Sequence, residues 1–277
     1  MIDQKDIQAF RDTGRVLLRG NDFIYLLPHQ ALRGYISNYT VTFPGKGVLS
    51  GRYTVLPHGS ATLVFSQDGR GWHGELFGPL TKPCPVGARA NQCALLLIVE
   101  FQPAGLYALA GLDQKELADR IFPLSLVAPA LNRLLLQALE SAGDLADWVG
   151  RLDRHLWENL SVSYPAALQN AVKMTVQSAG GISTKDLSAA VYYSQRHLGR
   201  IFETCLGMNV KTFSRLVRVN KAIRLLRRPR CSAACACRET GFYDLPHFIH
   251  DFQSVCGLTP RQYRDHMSDF YNEIAKF

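Results

Sequence analysis

Long apolar runs are missing from this 277-residue chain. The longest, residues 94–99, is strand-sized, so no membrane-spanning helix is expected. The segment Met1-Ile2-Asp3-Gln4-Lys5-Asp6 lacks a basic stretch followed by an apolar one. It therefore does not read as a secretory signal, and a cytoplasmic address follows. Seven cysteines, an odd number without regular spacing, do not form the framework of a secreted disulfide-bonded protein. A nucleophile elbow, a phosphate-binding loop and a histidine-rich strand motif are also lacking. Catalysis has no residue-level case, and no cofactor or metal is expected.

What is present is an uneven distribution of charge. The net charge is +8. From Ser161 to Phe277 there are 16 Lys+Arg against 8 Asp+Glu, whereas Met1 to Leu160 holds 15 of each. A neutral half joined to a basic half fits a sensor joined to a polyanion binder, although a merely soluble basic domain would carry the same excess. With 47% hydrophobic residues the chain can bury the cores of two domains.

The first half reads as β-rich. Strands are predicted at 23–27, 35–43, 53–56, 61–65, 72–77 and 94–101, separated by turns such as Pro44-Gly45-Lys46-Gly47. Short strands at this spacing predict a sandwich or small barrel. The period then changes, and helices are predicted at 104–110, 114–122, 131–142 and 145–160. In the last, Leu145, Trp148, Val149, Leu152, Leu156 and Trp157 form one apolar stripe, either core or a dimer contact. The best linker is Ser161-Val162-Ser163-Tyr164-Pro165, which gives a regulatory and dimerisation domain at 1–160 and a helical domain at 166–277. The fold class is α+β with two domains.

Two helix-turn-helix units are predicted in the second domain, at about 183–207 and 232–257. In the first, Ser183 opens a short helix, Tyr192-Tyr193 turn, and Ser194 caps a helix ending at Gly207. Arg196 and Arg200 lie four apart on one face of that helix with His197 nearby. Arginine's donor fork matches the O6 and N7 acceptors of guanine in the major groove. A long basic helix from Val210 to about Arg228 leads to the second unit, in which Asp244 caps residues 245–256.

Gly241-Phe242, Phe248, Phe252, Gly257 and Thr259-Pro260-x-x-Tyr263-Arg264 resemble the signature of the AraC/XylS family of bacterial regulators. Ser194, Leu198, Arg200, Phe202 and Gly207, followed by residues 218–226, resemble that family's first unit and linker helix. The resemblance covers roughly residues 166–266. It implies two recognition helices in successive major-groove segments about one turn (~34 Å) apart. It implies promoter DNA and RNA polymerase as partners, activation before repression as the mode of action with both left open, and a cupin-like N-terminal barrel, followed by helices, that senses a small molecule or a protein. By position the first unit would present Gln195, Arg196, His197, Gly199 and Arg200 to DNA. The second would present Leu245, Pro246, His247, Ile249 and His250. Leu245, Pro246, Ile249 and His250 depart from the family's small polar residues and arginine, so the first unit is expected to carry most base specificity.

Other clusters compete with this reading. Cys231, Cys235 and Cys237 could sense metal or thiol chemistry, but their spacing is not a standard zinc pattern and packing explains Cys237. His73 and Glu75 share a strand face that His58 could join. A ligand pocket would be lined by Tyr53, His58, Phe65, Trp72 and Phe101, the alternative being that the aromatics are core. Residues 99–106 resemble a recurrent element of one sensor group within the family. Control by a small effector and control by a protein partner both remain open, as does homodimerisation.

Overall fold

Side chains of a strand point alternately to its two faces, and that alternation organises the first half of the chain. The computed structural model describes residues 2–44, 51–161, 165–267 and 270–271. The expected turn residues Gly45, Lys46 and Gly47 and the linker residues Val162, Ser163 and Tyr164 lie outside the described residues. The strands are β1 (Val16–Arg19), β2 (Phe23–Leu26), β3 (Ile36–Thr42), β4 (Thr54–Val55) and β5 (Thr62–Asp68). They continue with β6 (Gly71–Phe77), β7 (Cys84–Pro85), β8 (Leu95–Phe101), β9 (Ile121–Pro123) and β10 (Phe270–Tyr271). Seven of them form one sheet in the order β1-β2-β3-β8-β5-β6-β9, with every neighbouring pair antiparallel. A small second sheet has the order β10-β4-β7.

One face of the large sheet is apolar. Ile24, Tyr39, Val41, Leu63, Leu97 and Val99 are buried there and share a single core with the helices that follow. Each such side chain stabilises by about 1.5–3 kcal/mol. The helices are α1 (Gln4–Ala9) at the start of the chain, then α2 (Gly105–Ala110), α3 (Gln114–Leu117), α4 (Leu124–Val127), α5 (Pro129–Glu140) and α6 (Leu145–Glu158). The stripe of α6 is buried in this core, with Trp148 edge-on to Tyr39, while Trp157 stays 54% exposed. Tyr39 donates to Asp153 Oδ1 (2.9 Å), and Arg15 pairs with the other oxygen of that carboxylate (2.8 Å).

The helix expected at 114–122 is shorter than predicted. It stops at Leu117 because Asp119 takes a left-handed conformation (φ +57°) and its carboxylate accepts from the amide and hydroxyl of Thr81. The Ile121-Phe122 pair then extends the sheet as β9 against β6.

The second domain holds α7 (Ala166–Gln177), α8 (Thr184–Ala190), α9 (Gln195–Leu206), α10 (Val210–Leu226), α11 (Ala233–Glu239), α12 (Leu245–Cys256) and α13 (Pro260–Asp265). Leu187, Leu198, Phe202, Phe213, Phe248 and Phe252 belong to one core that runs through both units. Helix α10 is the rod between them. From it Arg218 donates to the carbonyl of Gly180 before the first unit (2.6 Å) and lies over the Phe242 ring of the second (5.0 Å). Gly180 has φ +74°, and a Cβ there would come within 2.1 Å of the Ser214 carbonyl oxygen, so only glycine permits this approach.

Candidate nucleic-acid interface and sensor cavity

The two units repeat one design. Ser183 caps α8 by accepting from the Asp186 amide (3.1 Å), and Ser232 caps α11 by accepting from the Cys235 amide (3.2 Å). Each first helix ends in a left-handed residue, Tyr192 (φ +58°) or Gly241 (φ +70°). The next amide, of Tyr193 or Phe242, then donates back to the carbonyl of Ser188 or Cys237. That correspondence gives Cys237 the buried slot of Ser188 and accounts for it by packing. Each recognition helix is capped by a side chain that accepts from the third amide. Ser194 takes that of His197 (3.2 Å) and Asp244 that of His247 (2.8 Å). Both histidines stand edge-on to a turn aromatic, Tyr193 at 4.5 Å and Phe242 at 5.6 Å between ring centres. Glycines in the left-handed conformation, Gly207 and Gly257, close both helices.

On α9, Leu198, Phe202, Cys205 and Leu206 face inward, while Gln195, Arg196 and Arg200 are exposed and His197 and Gly199 half-buried. The Arg200 guanidinium donates to His197 Nδ1 (3.1 Å), which orients it along the helix. On α12, Leu245, Pro246, His247 and His250 are exposed and Ile249 is half-buried. Asp251 is turned inward, 9% exposed, with Arg215 of α10 at 3.9 Å, His247 at 3.7 Å and His250 at 3.6 Å. Its carboxylate therefore lies against the Arg215 guanidinium and two imidazoles instead of facing a phosphate. Tyr192 and Tyr243, expected only as turn residues, are each 94% exposed beside the N-terminus of a recognition helix.

In the first domain the second face of the large sheet mixes polar and apolar side chains, and a cavity of about 790 Å³ lies between it and the small sheet. Tyr53, His58 and Trp72 line it; Phe65 and Phe101 do not. Their exclusion corrects the expected pocket and follows from strand alternation. Thr62, Val64 and Ser66 of β5 and Leu96, Ile98 and Glu100 of β8 face the cavity, so Phe65 and Phe101 face the core, where both are buried. Deep in the cavity Glu100 is 1% exposed and its Oε2 accepts from Thr62 Oγ1 (2.8 Å). His58 Nε2 lies 3.7 Å from the same oxygen, and its Nδ1 lies 3.2 Å from Ser60 Oγ. His73 and Glu75 also line the cavity, but His73 pairs with Asp68 (3.2 Å) and Glu75 with Arg89 (3.5 Å). Glu100 was missed in the sequence, although a lone carboxylate inside the apolar strand Leu95–Phe101 was its signal.

Cys231 and Cys235 meet at Glu239, the three ligand-type atoms lying within 4.8 Å of one another, with Cys237 outside the group. Hydrogen bonding with Cys231, and then with Glu239, pushes the Cys235 thiol up to about 11. Among the described residues no helix is long and apolar enough to cross a membrane.

Comparison with known proteins matches these two regions separately. Residues 187–266 match a family described as a helix-turn-helix domain, and residues 25–123 match a domain of unknown function (DUF6597). The chain is 30% identical over 80 residues to an uncharacterized HTH-type transcriptional regulator YisR of Bacillus subtilis, covering 29% of this chain and 28% of that protein. It is 27% identical over 110 residues to the HTH-type transcriptional regulator ArgR of Pseudomonas aeruginosa, covering 40% of this chain and 33% of that protein. The chain thus spans a third or less of the curated relatives it matches. A solved AraC-type DNA-binding domain from Chromobacterium violaceum is 29% identical, covering 36% of this chain and 89% of that one, with a TM-score of 0.34. The chain carries a helix-turn-helix domain. That domain is of the AraC type, with both units present.

Proposed function

We propose that this chain is a cytoplasmic, sequence-specific transcription regulator that binds duplex promoter DNA through α9 and α12 and senses a small molecule in its first domain. The observation that carries the DNA half is the repeated, capped recognition helix, with Arg196 and Arg200 exposed on α9. A basic half supplies the phosphate attraction that such binding needs. RNA polymerase contact, activation and homodimerisation belong to the same proposal, and the chain's curated relatives are transcriptional regulators by name. Control by a small molecule is favoured over control by a protein partner because the cavity is open in volume and its polar groups converge on Glu100.

The test is selection of duplexes by the full-length chain from a random pool. The expected product is a bipartite site with halves about 10–11 base pairs apart, the half under α9 more sharply defined. Failure to enrich any sequence would overturn the reading.

A further inference from the structure

The chemistry of the cavity wall narrows the class of molecule it suits, taking as given that the first domain is a sensor. Among the described residues, four carboxylates line it, Asp22, Asp68, Glu75 and Glu100, against the guanidinium of Arg89 and the imidazoles of His58 and His73, and none of these lining residues is a lysine. The acidic groups are interleaved with Phe23, Tyr25, Tyr53, Trp72 and Phe77. Aromatic faces attract cations, and a buried carboxylate is stabilised most by a cation that also donates hydrogen bonds to it. An anionic ligand would meet the opposite field and lose its hydration without compensation.

The same wall touches the DNA-binding domain. His58 and Ser60 face the cavity, while the carbonyl of Pro57 accepts from Asn220 Nδ2 of α10 (2.9 Å). Between them Gly59 has φ +72°, and a Cβ there would come within 2.9 Å of the Phe213 ring, also on α10. One four-residue segment therefore has the His58 side chain at Glu100 and its backbone on the helix that joins the two DNA-binding units. A cation arriving at Glu100 competes directly with His58, and any shift of His58 is carried by that segment.

We propose that the cavity takes an organic cation with an apolar body, an amine or quaternary ammonium seated on Glu100, and that residues 57–60 pass its occupancy to α10. A ligand acts in this way only through a difference in affinity between two arrangements of the segment.

The binding test uses the full chain without DNA, and only the route through Asn220 is read with it. Thermal shift and tryptophan fluorescence, to which Trp72 on the wall contributes, are read against phenethylamine, choline and cadaverine. The matched neutral alcohols and carboxylates form the control set. At least one cation should give saturable binding that its neutral and anionic counterparts do not. Glu100→Gln, which keeps the shape and the Thr62 contact, should weaken it about ten- to hundredfold. Glu75→Gln on the half-buried rim serves as a second variant if Glu100→Gln does not fold, and should weaken it less. Binding of no cation in the set, binding of a carboxylate as tight as that of its amine, or unchanged affinity in the Glu100 or, failing that, the Glu75 variant would overturn the ligand class. Asn220→Ala should bind the cation normally while DNA affinity no longer responds to it, and a full response in that variant would overturn the route. Because binding is read without DNA, failure here leaves the DNA-binding reading standing, and the duplex selection tests that reading separately.

Discussion

Arg200 is exposed on its helix and tied to the His197 imidazole three residues earlier, so its fork is oriented before any DNA arrives. Preorganisation of this kind lowers the entropy lost when a bidentate contact forms. His250 has a different setting, because the carboxylate of Asp251 lies 3.6 Å from its ring. At this scale Phe65 and Trp72 differ in depth on one side of the sheet. Phe65→Ala removes a buried ring from the core and should cost about 3–5 kcal/mol in denaturant unfolding. Trp72→Ala acts on a half-buried residue that packs on the edge of that core and also borders the cavity, and should cost less. An equal loss would put Trp72 as deep as Phe65. The sequence made these two indistinguishable because composition marks an aromatic as buried without saying how deeply it lies.

Elements differ in how plainly they were written. The two DNA-binding units were legible because their helix ends are chemical: Ser183, Ser194, Ser232 and Asp244 accept from the first turns, and Gly207 and Gly257 close them. The cavity was not legible, since it depends on which of two strand faces meets the helices. The strand at Val16–Arg19 was also missed, as was α1, although Asp3 and Asp6 form a capping box there. The turn of the first unit carries a cost that the second avoids. Tyr192 holds φ +58° where Gly241 holds φ +70°. A side chain in that region costs about 1–2 kcal/mol, part of which glycine returns through the entropy of the unfolded chain. Tyr192 is nearly fully exposed, so Tyr192→Gly should raise stability by about 0.5 kcal/mol in chemical denaturation. A loss of stability would show that the ring packs after all.

Across the whole molecule the first domain grips the second at several places, the pairing of β10 with β4 among them. Besides the 57–60 segment on α10, the C-terminal end of α9 packs on α3. Gly207 (φ +73°) sits so close that a Cβ would fall 2.6 Å from the Gln114 carbonyl oxygen, and Lys115 lies 3.9 Å from Glu203. Gly207→Ala should therefore cost about 1–2 kcal/mol and speed amide exchange in α3, since both the helix cap and the docking are disturbed. Cys205, beside Tyr107 and Asp113 of the first domain, reports on the same contact. Burial, and then the Asp113 charge, push its thiol up to about 11 from an ordinary 9.0. The docked form favours the neutral thiol, so its contribution is present below pH about 9 and is lost as pH rises towards about 11. The difference in stability between the parent and Cys205→Ala should shrink over that window, and a constant difference would deny the shift. The opposite side of α9, where Arg196 and Arg200 are exposed, is the surface proposed to read base sequence. The most direct measurement is fluorescence anisotropy of full-length Arg200→Ala on the duplex selected by the parent chain, with single base changes under each half. The account predicts a loss of about 1–3 kcal/mol and relaxed preference at one position under α9. Unchanged affinity and unchanged preference would contradict it.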